Sequence, residues 1–297
     1  MKVAAASLVL TFAGSVSAFA PSFPRSTSSS AAAASSTKLD ARKTFITGNW
    51  KLNPQSKQEA LDLATGIADA INPGSPCDVA LFVPFPFIEP VQNAVGDKLK
   101  VGAEMVTPEM NGAFTGGISA PMLDSIGVEW ALAGHSERRT INKESDDYIN
   151  AQCLKIIEQG MSVVLCIGET LEEYEKGLVK AVCEVQLKKG LAGISAEDMS
   201  RVAIAYEPVW AIGTGKVATP EIAQSVHATC RNIIAGMYGD EIADDIRILY
   251  GGSVSKDSVD GLIAQPDVDG ALVGGASLDA ENFGRIINHE VKELAAV

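Results

Sequence analysis

A single (β/α)8 barrel of the α/β class is the fold that residues 41–297 predict. Three observations point there. Short runs of β-branched and small apolar residues alternate with longer stretches of helical period, the pattern of βα units around a parallel sheet. Eight such runs occur along the chain, namely FITGNW, VALFVP, KVGAEM, WALAGH, VVLCIG, VAIAYE, RILYGG and ALVGGA. The span that holds them, about 250 residues, suits a closed barrel of this kind. Helical period is clearest in SKQEALDLATGIADA, SDDYINAQCLKIIEQG, EEYEKGLVKAVCEVQLKKG and TPEIAQSVHATCRNIIAGMYG. Several of these open on a Ser, Thr or Asp able to accept from the first exposed amides, as Thr219 does before Pro220. An open doubly wound sheet is the alternative, but no GxGxxG follows the first strand.

Composition agrees with one α/β domain and excludes several functions. The chain has 297 residues, 46% of them hydrophobic and 6% aromatic, enough for one large core. Its net charge of −13 and scattered basic residues lack the electrostatic footprint of a protein that binds nucleic acid or anionic lipid. An anionic ligand must therefore be held by a local site. The five cysteines, Cys77, Cys153, Cys166, Cys183 and Cys230, are widely spaced without a CxxC pair, so neither a disulfide framework nor a thiolate metal site is expected. Cys166 reads as a packed strand residue and Cys77 as a surface thiol, the better candidate for oxidation, although nothing beside it would lower a thiol pKa. His135, His227 and His289 do not sit at ligand spacing, and no metal is expected.

The first forty residues are of another kind. Residues 1–20 carry Lys2 and an apolar run ending in small residues, as a signal peptide does, and the run is short for a membrane span. Residues 21–40 are rich in Ser and Ala, carry Arg25 and Lys38, and hold no acid before Asp40, a transit-peptide composition that cannot bury enough surface to fold. A signal-like segment followed by a transit-like one resembles the two-part, cleavable presequences that lead into plastids bounded by extra membranes. The expected location is the plastid or chloroplast stroma, with mitochondrion or secretory pathway as alternatives. Loss of residues 1–40 removes three bases and one acid, leaving 21 against 36.

In a barrel of parallel strands, chemistry collects where the strands' C-terminal ends converge. Polar residues of this chain fall there: Asn49 and Lys51 after the first strand, His135 and Glu137 after the fourth, Glu207 after the sixth, Ser253 after the seventh, Gly274 and Gly275 after the eighth. Glu207, closing an apolar strand before Pro208, is placed to act as a base near neutral pH. A lone strand-end Glu is ordinarily a structural ion-pair partner. Glu207 is not alone, because the run after it, PVWAIGTGK, has the rigid start, bulky middle and paired glycines of a hinged lid. His135 precedes a helix start whose positive end disfavours an imidazolium, so a neutral ring that donates a hydrogen bond is expected. Lys51 brings a fixed positive charge to the mouth. The segments YGGSV and LVGGASL put amide-rich glycine pairs at the ends of the last two strands, the usual phosphate cradle of such barrels.

These segments carry a resemblance. GNWKLN, NGAFTG, GHSERR, CIGE, AYEPVWAIGTGK, YGGSV and VDGALVGGASL look like the signature segments of the triosephosphate isomerase family, in unbroken order from Thr44 to the C-terminus. The specific ones are AYEPVWAIGTG and GHSERR. A neutral histidine beside a glutamate base is known from this same family, and the resemblance implies it for His135. The resemblance implies a TIM barrel that interconverts D-glyceraldehyde 3-phosphate and dihydroxyacetone phosphate through an enediolate, without a cofactor. It implies Glu207 as proton-shuttling base, His135 as electrophile, Lys51 and Asn49 as substrate-binding and charge-stabilising groups, and Glu137 as a supporting carboxylate. Residues 208–216 would be the lid, and phosphate would be held by Ile212, Gly213, Ser253, Gly274 and Gly275. The resemblance also implies a homodimer joined through the loop around Thr115. Two positions depart from the family pattern: GAEM stands where an AQN-like triplet is common, and GGIS where GEVS or GEIS is. Gly117 thus removes a carboxylate that could pair with Arg138 across the interface, and a weaker or more salt-tolerant dimer is expected.

Two other readings compete. A different phosphate-binding barrel enzyme would need another acid–base pair or a Schiff-base Lys within a strand, and no strand offers one. A non-catalytic scaffold would be expected to have lost part of the set Asn49, Lys51, His135, Glu137 and Glu207, all of which are present.

Overall fold

The computed structural model describes residues 42–75, 77–211 and 218–290. All of these belong to the compact unit Ala41–Val297. The expected presequence and the lid residues Ile212 and Gly213 lie outside the described residues.

Eight parallel strands close on themselves in chain order. They are β1 (Phe45–Asn49), β2 (Asp78–Val83), β3 (Lys100–Ala103), β4 (Trp130–Ala133), β5 (Ser162–Ile167), β6 (Val202–Tyr206), β7 (Arg247–Tyr250) and β8 (Gly270–Val273). Closure is made by β1, which pairs with β2 from Phe45↔Asp78 and with β8 from Phe45↔Gly270. The sequence runs overreach these strands at their ends. The strands stop short of those runs, so Trp50, Glu104, His135 and Glu207 sit just past the strand ends. That is where a barrel holds its working side chains.

Alternation along the strands divides two cores. Val164 and Cys166 of β5, with Ala203 and Ala205 of β6, point into the barrel with Phe45, Phe82, Leu132, Leu249 and Leu272. Val163, Leu165, Ile204 and Tyr206 point outward into the layer beneath the helices. Both faces are buried, and the strands therefore read as continuous apolar runs.

The helices are α1 (Lys57–Ala70), α2 (Ile88–Val95), α3 (Ala120–Asp124), α4 (Ser136–Thr140), α5 (Asp146–Glu158), α6 (Leu171–Glu175), α7 (Val179–Gly190), α8 (Pro220–Tyr238), α9 (Asp240–Asp245), α10 (Val259–Ile263) and α11 (Ala280–Ile287). Thr219 caps α8 as its sequence implies, its hydroxyl accepting from the Ile222 amide with Pro220 in the first turn. A cap of this kind stabilises a helix by about 1 kcal/mol. Ser56 with Glu59 and Thr170 with Glu173 form reciprocal caps on α1 and α6. The stretch EEYEKGLVKAVCEVQLKKG is two helices, because Gly177 takes φ +68°, a left-handed stop between α6 and α7.

All five cysteines are free and buried. Cys77 is therefore not the surface thiol that its sequence neighbours suggest. Its sulfur lies against Ser75 Oγ at 3.1 Å and the carbonyl of Ile287 at 3.3 Å, and burial pushes the thiol pKa up. The covering chain comes from more than two hundred positions away, beyond the reach of local patterning. At the opposite end from the strand-end glycines, buried Asp269 accepts from Arg42, Arg231 and the Ile248 amide. Removing one partner of such a buried cluster costs about 3–5 kcal/mol. Among the described residues, no helix is long and apolar enough to cross a membrane.

Candidate active site

The end of β6 delivers Glu207 into the barrel mouth. Its amide donates to the Ile167 carbonyl at 2.7 Å, extending the β5–β6 ladder by one bond. The side chain is 3% exposed, and Oε2 accepts from the Ser136 amide at 2.9 Å while Oε1 stands 3.0 Å from His135 Nε2. Burial alone would raise this carboxyl's pKa. The facing His135 ring, the Ser136 amide and Lys51 outweigh it and hold the group below the ordinary carboxylate range, so it is ionised at neutral pH. A base must be.

His135 is the N-cap of α4, and its Nδ1 accepts from the Glu137 amide at 3.3 Å. That bond fixes the tautomer: with Nδ1 as acceptor, Nε2 carries the hydrogen aimed into the cavity. Burial works against an imidazolium, yet the facing Glu207 carboxylate prevails and raises the ring's pKa. The charge on the ring therefore depends on whether Glu207 faces it, which the helix start alone does not decide. Glu137 lies in the first turn of α4, just beyond the fourth strand.

Lys51 has φ +55°, uncommon for a residue with a side chain. Its amide donates to Asn49 Oδ1 at 3.1 Å, and its Nζ pairs with Glu137 Oε1 at 2.8 Å. Strain of this sort, of order 1–3 kcal/mol, persists where surrounding structure over-determines it. Asn49, only 4% exposed, is one such constraint. A cavity of about 320 Å³ is lined by Asn49, Lys51, His135 and Glu207 together with Ser253, Gly274 and Gly275. Gly275 opens a 3₁₀ turn to Leu278, and the first amides of such a turn have no partner within it. The Ser253 hydroxyl donates to the Ala211 carbonyl at 2.9 Å, tying the start of the expected lid to the end of β7. The cavity thus brings a carboxylate and an imidazole together with the start of a 3₁₀ turn.

The model of the triosephosphate isomerase family matches residues 44–290. The chain belongs to that family. A triosephosphate isomerase of Carboxydothermus hydrogenoformans is 47% identical over 251 residues, covering 84% of this chain and 100% of its own length. Those of Fusobacterium nucleatum and Chloroherpeton thalassium are 44% and 46% identical, each covering 83% of this chain and 98% of their own. Triosephosphate isomerases are isomerases that need no cofactor.

Two residues of this family member escaped the sequence reading. Ser136 supplies the amide that parks Glu207, a backbone role without a sequence signal beyond its place after His135. Glu169 of CIGE is fully buried after β5 and accepts from Tyr206 Oη at 3.0 Å and Trp210 Nε1 at 2.7 Å. Burial raises its pKa against those bonds. It joins the ends of β5 and β6 to the segment after Glu207. An acid after a strand-end glycine was the available clue.

Proposed function

We propose that this chain interconverts D-glyceraldehyde 3-phosphate and dihydroxyacetone phosphate. The Glu207 carboxylate removes a proton from the carbon beside the carbonyl, leaving an enediolate, and returns it to the neighbouring carbon. His135 Nε2–H hydrogen-bonds the substrate oxygens as charge moves between them. Lys51 stabilises that charge and, with Asn49, orients the sugar; Glu137 steadies Lys51. Phosphate rests on the amides of Gly274 and Gly275, with Ser253, Ile212 and Gly213 completing its seat. The substrate's own carbonyl acidifies the carbon, so the reading calls for no metal and no cofactor. The observation that supports it most is the 3.0 Å approach of Glu207 Oε1 to His135 Nε2, two buried side chains lining a cavity that Lys51 also lines.

Incubation of the protein with dihydroxyacetone phosphate in D2O tests this directly. Glyceraldehyde 3-phosphate should form with deuterium at the carbon that receives the proton, because a carboxylic acid exchanges its hydrogen with solvent. Failure to form glyceraldehyde 3-phosphate at all rejects the reading.

Self-association as a homodimer is the second part of the reading. A groove of about 640 Å³ beside the active cavity is rimmed by Leu52 and Ile141. These are the most exposed large apolar side chains among the described residues, at 85% and 75%. Phe114, 52% exposed beside Thr115, is an apolar knob on the same chain. A knob and a groove on one chain are what a two-fold contact needs. Arg138 is already paired with Glu144 at 2.6 Å, so the absence of a carboxylate at Gly117 leaves no cation without a partner. The location proposed for the mature enzyme is the plastid. A fluorescent reporter carrying residues 1–40 should collect there, and diffuse cytosolic signal contradicts it.

A further inference from the structure

Glu104 comes after β3 at the floor of the groove rimmed by Leu52 and Ile141. Its Oε1 is closed off from solvent and has no hydrogen-bond partner. The cations that face it are committed elsewhere: Lys51 Nζ to Glu137 at 2.8 Å and Arg138 to Glu144 at 2.6 Å. Glu104 itself forms no ion pair among the described residues. A carboxylate in this position is desolvated with only partial compensation, its Oε1 unpartnered, whereas a neutral carboxyl needs only one acceptor for its O–H. The backbone carbonyls of a loop entering the groove are acceptors of that kind.

We propose that self-association through this groove takes up protons, with Glu104 as the group that binds them, so that the assembly loosens as pH rises. The inference rests on the self-association proposed above. Burial is the largest influence on Glu104 and raises its pKa, the Lys51 amide and the charges of Lys51 and Arg138 lower it, Glu137 raises it, and the balance stands at about 8. His135 is the remaining titratable group on the groove wall. A second copy seated here excludes the remaining water and raises the value further. The pair then binds more protons than the separate chains above pH 8, so the equilibrium shifts toward separate chains as pH increases. A two-fold pair has two such grooves, hence two linked protons.

Sedimentation equilibrium of the full chain between pH 6 and pH 9.5 reads the effect. The dissociation constant should be nearly flat below pH 7 and rise by up to about a hundredfold between pH 7 and 9, the limit for two linked protons. Glu104→Gln, which keeps the shape of the neutral acid, should hold a flat profile. Heats of dilution in buffers of different ionisation enthalpy count the protons on the unaltered protein, and uptake approaching two per pair is expected even if the variant fails to fold. Equal slopes in both proteins assign the protons to another group and overturn the inference. A firm pair with no pH dependence also overturns it, while leaving self-association standing. A single chain at every pH and concentration removes the self-association reading and the inference with it.

Discussion

Glu207→Gln lowers kcat by about 10³ to 10⁴-fold, the upper range for loss of a positioned general base. The amide keeps the shape of the side chain and can still accept from the Ser136 amide, which now holds Oε2 at 2.9 Å. What it loses is the capacity to take a proton from carbon. Folding should change little, because the backbone bond from residue 207 to Ile167 does not involve the side chain. The check is steady-state turnover in both directions with circular dichroism alongside. Turnover within tenfold of the unaltered enzyme contradicts the assignment of the base.

Gly168→Ala is expected to unsettle both stability and turnover. Gly168 ends CIG at the top of β5, its amide donating to Gln186 Oε1 at 2.8 Å and its carbonyl accepting from Gln186 Nε2 at 3.2 Å. A methyl carbon there would stand 1.8 Å from the Glu207 carbonyl oxygen, a backbone atom unable to swing aside. Either the β5–β6 ladder parts or Glu207 shifts. Overpacking of this severity costs about 3 kcal/mol, a fall in Tm of roughly 6–12 °C. Displacement of the base by about 1 Å lowers kcat about a hundredfold. The control is Gly236→Ala in α8, where an added methyl meets nothing within 4 Å. It should raise stability by up to about 1 kcal/mol. Thermal melts of both variants decide this, and equal melting points contradict the steric argument.

What could be read from the residues was whatever a local pattern encodes. Buried parallel strands leave continuous apolar runs, so all eight strands were visible before the barrel was. Their C-terminal ends marked Asn49, Lys51, His135 and Glu207, which share one cavity. Less legible were features set by distant chain. The covering of Cys77 by Ile287 and the parking of Glu207 on Ser136 depend on contacts between strands and helices far apart in sequence. The break at Gly177 was missed because helical period continues across it, although the glycine was there to be weighed. The departure at Glu104 was visible as a letter. Its meaning needed the observation that Lys51 and Arg138 already have other carboxylates.

Glu207 is held by Ser136 and His135, and both bonds must be exchanged for contact with substrate. The central claim is that this one side chain leaves its parked position to work on carbon. A crystal structure with a phosphorylated hydroxamate, planar and anionic like the enediolate, tests it most directly. The predicted result is a Glu207 oxygen about 3 Å from the atoms standing for the two reacting carbons, with His135 Nε2 against the hydroxamate oxygens. Bound ligand with Glu207 still fastened to the Ser136 amide would contradict it.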